Sequence, residues 1–247
     1  MTKVKKEKIN IYDQDVNRFG EYIYNKKDSY SSVVARQRQF DEILKTLNLF
    51  FDQNIAILDV GCGDGTFTIK IFDSFKPRNI FGVDYSKKGI DVATKKVKKT
   101  QKKRIKFKYI DIYEIDKKIK KYKYDVALLS GVLHHLDRAE VIVYKLSKVV
   151  DNIIVIEPNG YNPILKIIEN VSSYHIIHNE KSYLPPTLDK WFIKRGYKVK
   201  RKKYFGLVPY FCIEIIAKIL KKIEPIIENI PIVKNILCGS SVIFYSK

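Results

Sequence analysis

Only three cysteines occur in the 247 residues, Cys62, Cys212 and Cys238, and their positions match neither a disulfide framework nor a metal knuckle. A reduced environment and no bound metal are therefore expected. Long apolar runs are also missing. Nowhere do about 18 uncharged apolar residues follow one another, which argues against a membrane-spanning helix. The basic N-terminus is not followed by an apolar core of the signal-peptide type, so a cytoplasmic location is expected. Acidic residues are the minority, 27 against 47 basic, for a net charge of +20. The lysines cluster at 95–108, 117–123 and 194–203. Such runs suit either an electrostatic footprint for nucleic acid or anionic lipid, or the solvated faces of a lysine-rich protein.

Against these absences stands one dense motif. Residues 58–65 read Leu-Asp-Val-Gly-Cys-Gly-Asp-Gly, an apolar strand over 55–60 running into alternating glycines. The pattern from Thr66 to Phe72 then opens as a helix. A strand-to-helix turn built on Gly61, Gly63 and Gly65 can take unusual torsions and let a ligand approach the backbone. A dinucleotide fingerprint requires glycine or alanine at the sixth position, where this chain has Thr66. Asp59, two residues before the first glycine, would sit badly beside a pyrophosphate and well beside a positive ammonium group.

The pattern Asp-x-Gly-x-Gly-x-Gly resembles motif I of the class I S-adenosylmethionine-dependent methyltransferases, and the resemblance extends over more than half the chain. Further strands are expected at 79–84 ending in Asp84, at 105–110 before Asp111 and Ile112, at 125–130 ending in Ser130, and at 153–157. The resemblance implies a doubly wound α/β fold: a seven-stranded, mostly parallel sheet with its last strand antiparallel and helices on both faces. It also implies S-adenosylmethionine as cofactor. Gly61, Cys62, Gly63 and Gly65 would form the turn and Asp59 would hold the ammonium. Asp84 would take the ribose hydroxyls, Tyr85 would pack on the adenine, Asp111 and Ile112 would meet the adenine edge, and Ser130 would line the methionine side. The lysine runs fall on elements that the family packs away from the cofactor, which favours solvated faces over a nucleic-acid footprint.

The chain divides into a tail and helical cap over 1–52 and a methyltransferase domain over 53–247, with substrate-side insertions at 158–186 and 207–238. In the cap, Tyr12, Tyr30 or Arg36 could reach the cofactor carboxylate, although simple helix packing serves each as well. Pro163 suits a helix first turn, and Thr187 is read as opening a helix stopped by Gly196. The stretch 207–238 is dominated by Ile, Leu, Val and Phe with a narrow polar stripe at Glu214, Lys218, Lys221 and Lys222, and Pro209, Pro225 and Pro231 are expected to cut it into short helices. It must cap the sheet as extra core, cover an apolar substrate, pair with a second copy to make a homodimer, or make a peripheral membrane contact.

Methyl transfer to oxygen or to an unactivated nitrogen needs a proton acceptor. His134 and His135 follow the fourth strand, and adjacent helical residues diverge by about 100°, so one of them, His135, is favoured as base. Glu157, Tyr161, His175 and His178 stand behind them. The Asn/Asp-Pro-Pro-aromatic tetrapeptide of amino-methyltransferases is absent, replaced by Ser130-Gly131-Val132-Leu133, and no Pro-Cys pair serves cytosine chemistry. The expected acceptor is thus a small, apolar or lipid-linked molecule methylated at oxygen. An RNA methyltransferase and a cofactor-binding partner subunit without turnover are the alternatives.

Overall fold

The computed structural model describes residues 13, 29–120, 123–171, 180–210 and 212–247. Tyr12, His175 and His178, named above as candidates, lie outside the described residues. Nine helices and seven strands alternate among the described residues: α1 (Tyr30–Phe50), β1 (Ala56–Val60), α2 (Thr66–Phe75), β2 (Asn79–Asp84), α3 (Lys87–Lys96), β3 (Ile105–Tyr109), α4 (Ile115–Lys118), β4 (Val126–Ser130), α5 (Ala139–Leu146), β5 (Asn152–Pro158), α6 (Pro163–Val171), α7 (Pro185–Ile193), β6 (Lys198–Phe205), α8 (Glu214–Asn229), α9 (Val233–Leu237) and β7 (Ser240–Ser246). Short 3-10 turns follow β3 and β4, at Ile112–Glu114 and Leu133–His135.

The seven strands lie in the order β3-β2-β1-β4-β5-β7-β6. β1 and β2 pair in parallel with Ala56 opposite Asn79, and β2 and β3 with Ile80 opposite Ile105. β7 runs antiparallel to both its neighbours, with Asn152 opposite Ser246 on one side and Lys198 opposite Ser246 on the other. This is the mostly parallel, doubly wound sheet implied by the sequence. β1 is buried at every position, as expected for a strand covered on both faces. β6 at the margin carries lysines on its exposed positions, which protects an unpaired edge.

The helices follow local chemistry. Gly65, with φ of 74°, opens α2, and Ser86 caps α3 by accepting the Gly89 N–H. α5 buries Ala139, Ile142, Val143 and Leu146, the i, i+3, i+4, i+7 stripe of a core-facing helix. Two boundaries differ from expectation. α7 starts at Pro185 rather than at Thr187, because prolines are tolerated where the first-turn N–H groups have no helical partner. Pro225 does not cut the apolar stretch; α8 continues through it from Glu214 to Asn229. Proline removes one hydrogen bond there, while buried ion pairs of Glu224 and Glu228 hold the helix on both sides of it.

Two compact units divide these elements. One contains Leu44–Leu128 with Lys145–Asp151, and the other contains Asn152–Lys247 with Leu129–Tyr144 and the first half of α1.

Candidate active site

In the first unit, the turn after β1 is held by its own backbone. The Gly61 and Cys62 N–H groups both donate to Val83 O, at 2.8 and 3.1 Å. Gly63 N–H donates to Asp84 Oδ2 at 2.8 Å, Gly65 N–H to Cys62 O at 3.0 Å, and Thr66 N–H to Asp64 Oδ1 at 3.1 Å. A phosphate cradle needs such amides free to point at the anion. Here they are already engaged, so the turn suits a ligand without phosphate. Gly61, Gly63 and Gly65 have φ of 78°, 55° and 74°, and a Cβ on Gly65 would come within 2.7 Å of the Ala93 Cβ and the Phe107 ring. The glycines are therefore required by torsion at all three places and by packing at the last.

Two carboxylates flank this turn, both buried. Asp59 accepts the Thr68 hydroxyl at 2.5 Å. Burial pushes its pKa up to about 6, the Thr68 hydrogen bond pulls it back and the Asp84 charge adds to the rise. Asp84 accepts Gly63 N–H on one oxygen and Ser86 N–H on the other, both at 2.8 Å. Burial likewise raises its pKa to about 6 in spite of those backbone donors. Among the described residues neither acid makes an ion pair. An unpaired buried carboxylate is costly unless a ligand supplies the missing donors or charge. Cys62 is buried, and its thiol is pushed well above its ordinary value by burial and then by the Asp84 and Asp59 charges, which makes it inert.

Tyr85 is half-buried beside Asp84. Asp111 caps the next 3-10 turn by accepting the Tyr113 N–H at 3.0 Å, and Ile112 is buried behind it. The cap gives Asp111 a local structural role. Thr68, the partner of Asp59, was not anticipated; its place nine residues later, in the first turn of α2, is the signal that could have found it. Tyr30 lies in the second unit with its ring 5.6 Å from Lys218 Nζ.

The second unit carries a histidine pair on the turn after β4. Ser130 is half-buried at the strand end and Gly131 takes a φ of 67°. Glu157, at the end of β5, collects the amides that the 3-10 turn leaves over. Its Oε1 accepts Val132 N–H and Leu133 N–H at 2.9 and 2.8 Å, and its Oε2 accepts His134 N–H at 3.2 Å. The same Oε2 lies 2.7 Å from His134 Nδ1. Burial alone would lower the His134 pKa, but the Glu157 charge and hydrogen bond raise it. His135 sits half-buried with Nδ1 3.8 Å from Glu180 Oε1. The two rings do not diverge as a helix would require: their centroids are 3.9 Å apart. A 3-10 turn splays neighbours by about 120°, so the approach is made by the side chains themselves, that of His134 held at Nδ1 by Glu157.

His134, His135 and Glu180 each offer an atom within 4.8 Å of the others, a donor set that could also take a cation. Glu180 was not found from sequence, and no motif links it to the histidines. The Lys181 N–H to His134 O bond of 3.2 Å brings that segment alongside.

A family model described as "Methyltransferase domain" matches residues 51–195. The chain belongs to that family. This methyltransferase matches no curated protein in sequence. Its fold is similar to magnesium protoporphyrin IX methyltransferase (ChlM) from Synechocystis PCC 6803, at 15% identity and a TM-score of 0.66 over 96% of this chain and 99% of that one. A SAM-dependent methyltransferase from Archaeoglobus fulgidus is similar at 19% identity and a TM-score of 0.60, over 89% and 100%. A putative methyltransferase seen in complex with the Haloferax volcanii Trm112 activator is similar at 11% identity and a TM-score of 0.64, over 95% and 96%.

Proposed function

We propose that this methyltransferase uses S-adenosylmethionine to methylate an oxygen of a small, apolar or lipid-linked acceptor. The observation that carries the cofactor reading is the pair of buried carboxylates beside a turn whose amides are engaged internally. A ligand with an ammonium group, a ribose and no phosphate fits that donor set. Asp84 keeps lone pairs on both oxygens for the ribose hydroxyls, and Asp59 provides charge for the ammonium. Tyr85, Asp111 and Ile112 are assigned to the adenine, and Ser130 to the methionine side through its backbone. When bound, the cofactor supplies a methyl group on a sulfonium, an excellent leaving group that needs no activation by the protein.

The protein's own task is alignment and proton removal. In the assigned tautomer Nδ1–H of His134 donates a hydrogen bond to Glu157 Oε2, which leaves Nε2 as the proton acceptor. The Glu157 charge and hydrogen bond raise the pKa of this imidazole and so its basicity. On this ground the base is assigned to His134 rather than to His135, which lies beside it with Glu180. The insertions at 158–186 and 207–238 are assigned to the acceptor, and the Ile, Leu, Val and Phe content of 207–238 supports an apolar or lipid-linked one.

The test uses methyl-labelled cofactor with fractionated cell extract. Label in the organic-solvent fraction, in a product carrying an O-methyl group, is the expected result. Label confined to RNA or protein would overturn the acceptor reading, and absence of labelled product together with absent cofactor binding would overturn the reaction.

A further inference from the structure

Helix α8 is inside out for an element facing water. Two of its acids point inward: Glu224 is 2% exposed and lies 3.0 Å from Arg38 Nε, and Glu228 is 2.7 Å from Arg38 Nη2 and 3.2 Å from Lys203 Nζ. Both acids also cap backbone amides, Leu207 N–H to Glu224 Oε2 at 2.9 Å and Gly206 N–H to Glu228 Oε1 at 3.0 Å. The opposite face carries Ile215, Ile219, Ile223 and Ile226, with Ile215 72% exposed. Ile230, Ile232 and Ile236 extend this exposure through α9. The Asn162 side chain joins α9 to α6. Its amide donates to Leu237 O at 2.9 Å, while its carbonyl oxygen accepts the Ile164 N–H at 2.9 Å. α6 buries no residue and exposes Ile164, Ile167 and Val171.

The rotation of α8 cannot relax. Rolling the helix to cover its isoleucines would pull Glu224 and Glu228 away from Arg38, leaving buried charges unpaired and the Gly206 and Leu207 amides uncapped. The apolar face is therefore held outward, and an apolar phase must meet it. Lys222 is exposed on the same helix, as is Lys218 in a solvent-exposed ion pair with Glu214 at 2.7 Å that a lipid phosphate can replace, on a chain of net charge +20. That charge opposes pairing with a second copy and favours an anionic surface. No described helix is long and apolar enough to cross a membrane, so contact would be at the surface.

We infer that α6, α8 and α9 dock this chain on an anionic lipid membrane, isoleucines in the acyl boundary and lysines at the headgroups. The inference goes beyond the reaction proposed above and needs neither cofactor nor acceptor, so either can fail alone. The test is co-sedimentation of the full chain with vesicles of phosphatidylcholine, alone or mixed with phosphatidylglycerol. Binding to the mixed vesicles, weakened by salt, is expected. The double substitution Ile219→Ser with Ile226→Ser should weaken it about tenfold or more at unchanged melting temperature. If that variant does not fold, Lys218→Gln with Lys222→Gln should weaken binding to the mixed vesicles about tenfold or more and leave phosphatidylcholine alone unaffected. No sedimentation, unchanged binding in a folded variant, or a stable dimer in light scattering that the isoleucine substitutions split would each overturn the inference.

Discussion

The glycine-rich turn and helix α8 both bury carboxylates, with opposite company. Asp59 and Asp84 have hydroxyl and amide donors but, among the described residues, no cation, and burial drives both pKa values up to about 6. Glu228 is surrounded by cations: burial would raise its pKa, but the Arg38 hydrogen bond, the Gly206 N–H and the Arg38 and Lys203 charges bring it below the usual carboxylate value. Glu42 behaves likewise between Lys203 and Arg201, 2.7 Å from each. Charge completed within the chain belongs to structure, whereas charge left incomplete is poised for a ligand.

The largest effect should come from making α8 resemble the turn. Arg38→Met strips Glu224 and Glu228 of their shared guanidinium, and about 3–5 kcal/mol of stability should be lost in urea unfolding. The Glu228 pKa should rise in the same variant. A loss below about 1 kcal/mol would show the network to be surface-like.

Next in size is the base. His134→Gln should lower kcat about a hundredfold or more with cofactor affinity retained, read by steady-state kinetics and calorimetry. Retained turnover would return the assignment to His135 or remove the base altogether. Treatment with a chelator should leave turnover unchanged; a loss would convert His134, His135 and Glu180 into a cation site.

Asp84→Asn sharpens the contrast from the other side. It retains the shape but removes the charge, and S-adenosylmethionine affinity should drop about 10- to 100-fold. Calorimetry giving equal affinity for the variant and the native chain would separate Asp84 from the cofactor.

The smallest effect is on pH. Protonation of Asp59 and Asp84 removes charge from the ligand's donors, so affinity should decline as pH falls through about 6. The stability of the ligand-free chain should respond with opposite sign. Because the folded values exceed the ordinary aspartate value of 3.8, the folded state holds more protons, so these two groups contribute most below about 4 and that contribution is lost as pH rises through about 6. Paired titrations of binding and of unfolding should therefore slope in opposite directions between these limits.

Much of the cofactor half was legible because its signals are local. Gly61, Gly63 and Gly65 encode torsions that few other residues adopt, and strands buried on both faces read as apolar runs. The histidine centre was half legible. Glu157 was visible as a strand-end acid, but its four contacts to the turn at 132–134 depend on the neighbouring strand, and Glu180 on a distant segment. The orientation of α8 was not legible: Glu214, Lys218 and Lys222 of its polar stripe are exposed, whereas Glu224 and Glu228 turn inward to Arg38, a residue remote in sequence.

By itself the sequence determined the alternation of strands and helices, the glycine turn with its flanking acids, and thereby the family. Periodicity and torsion are properties of neighbouring residues, so a string of letters carries them. Only the tertiary structure decided which acids are matched by cations, which histidine is oriented, and which face of α8 meets the surroundings. Those outcomes depend on Arg38, Glu157 and Lys203, residues remote in sequence whose charges act through space at distances near 3 Å.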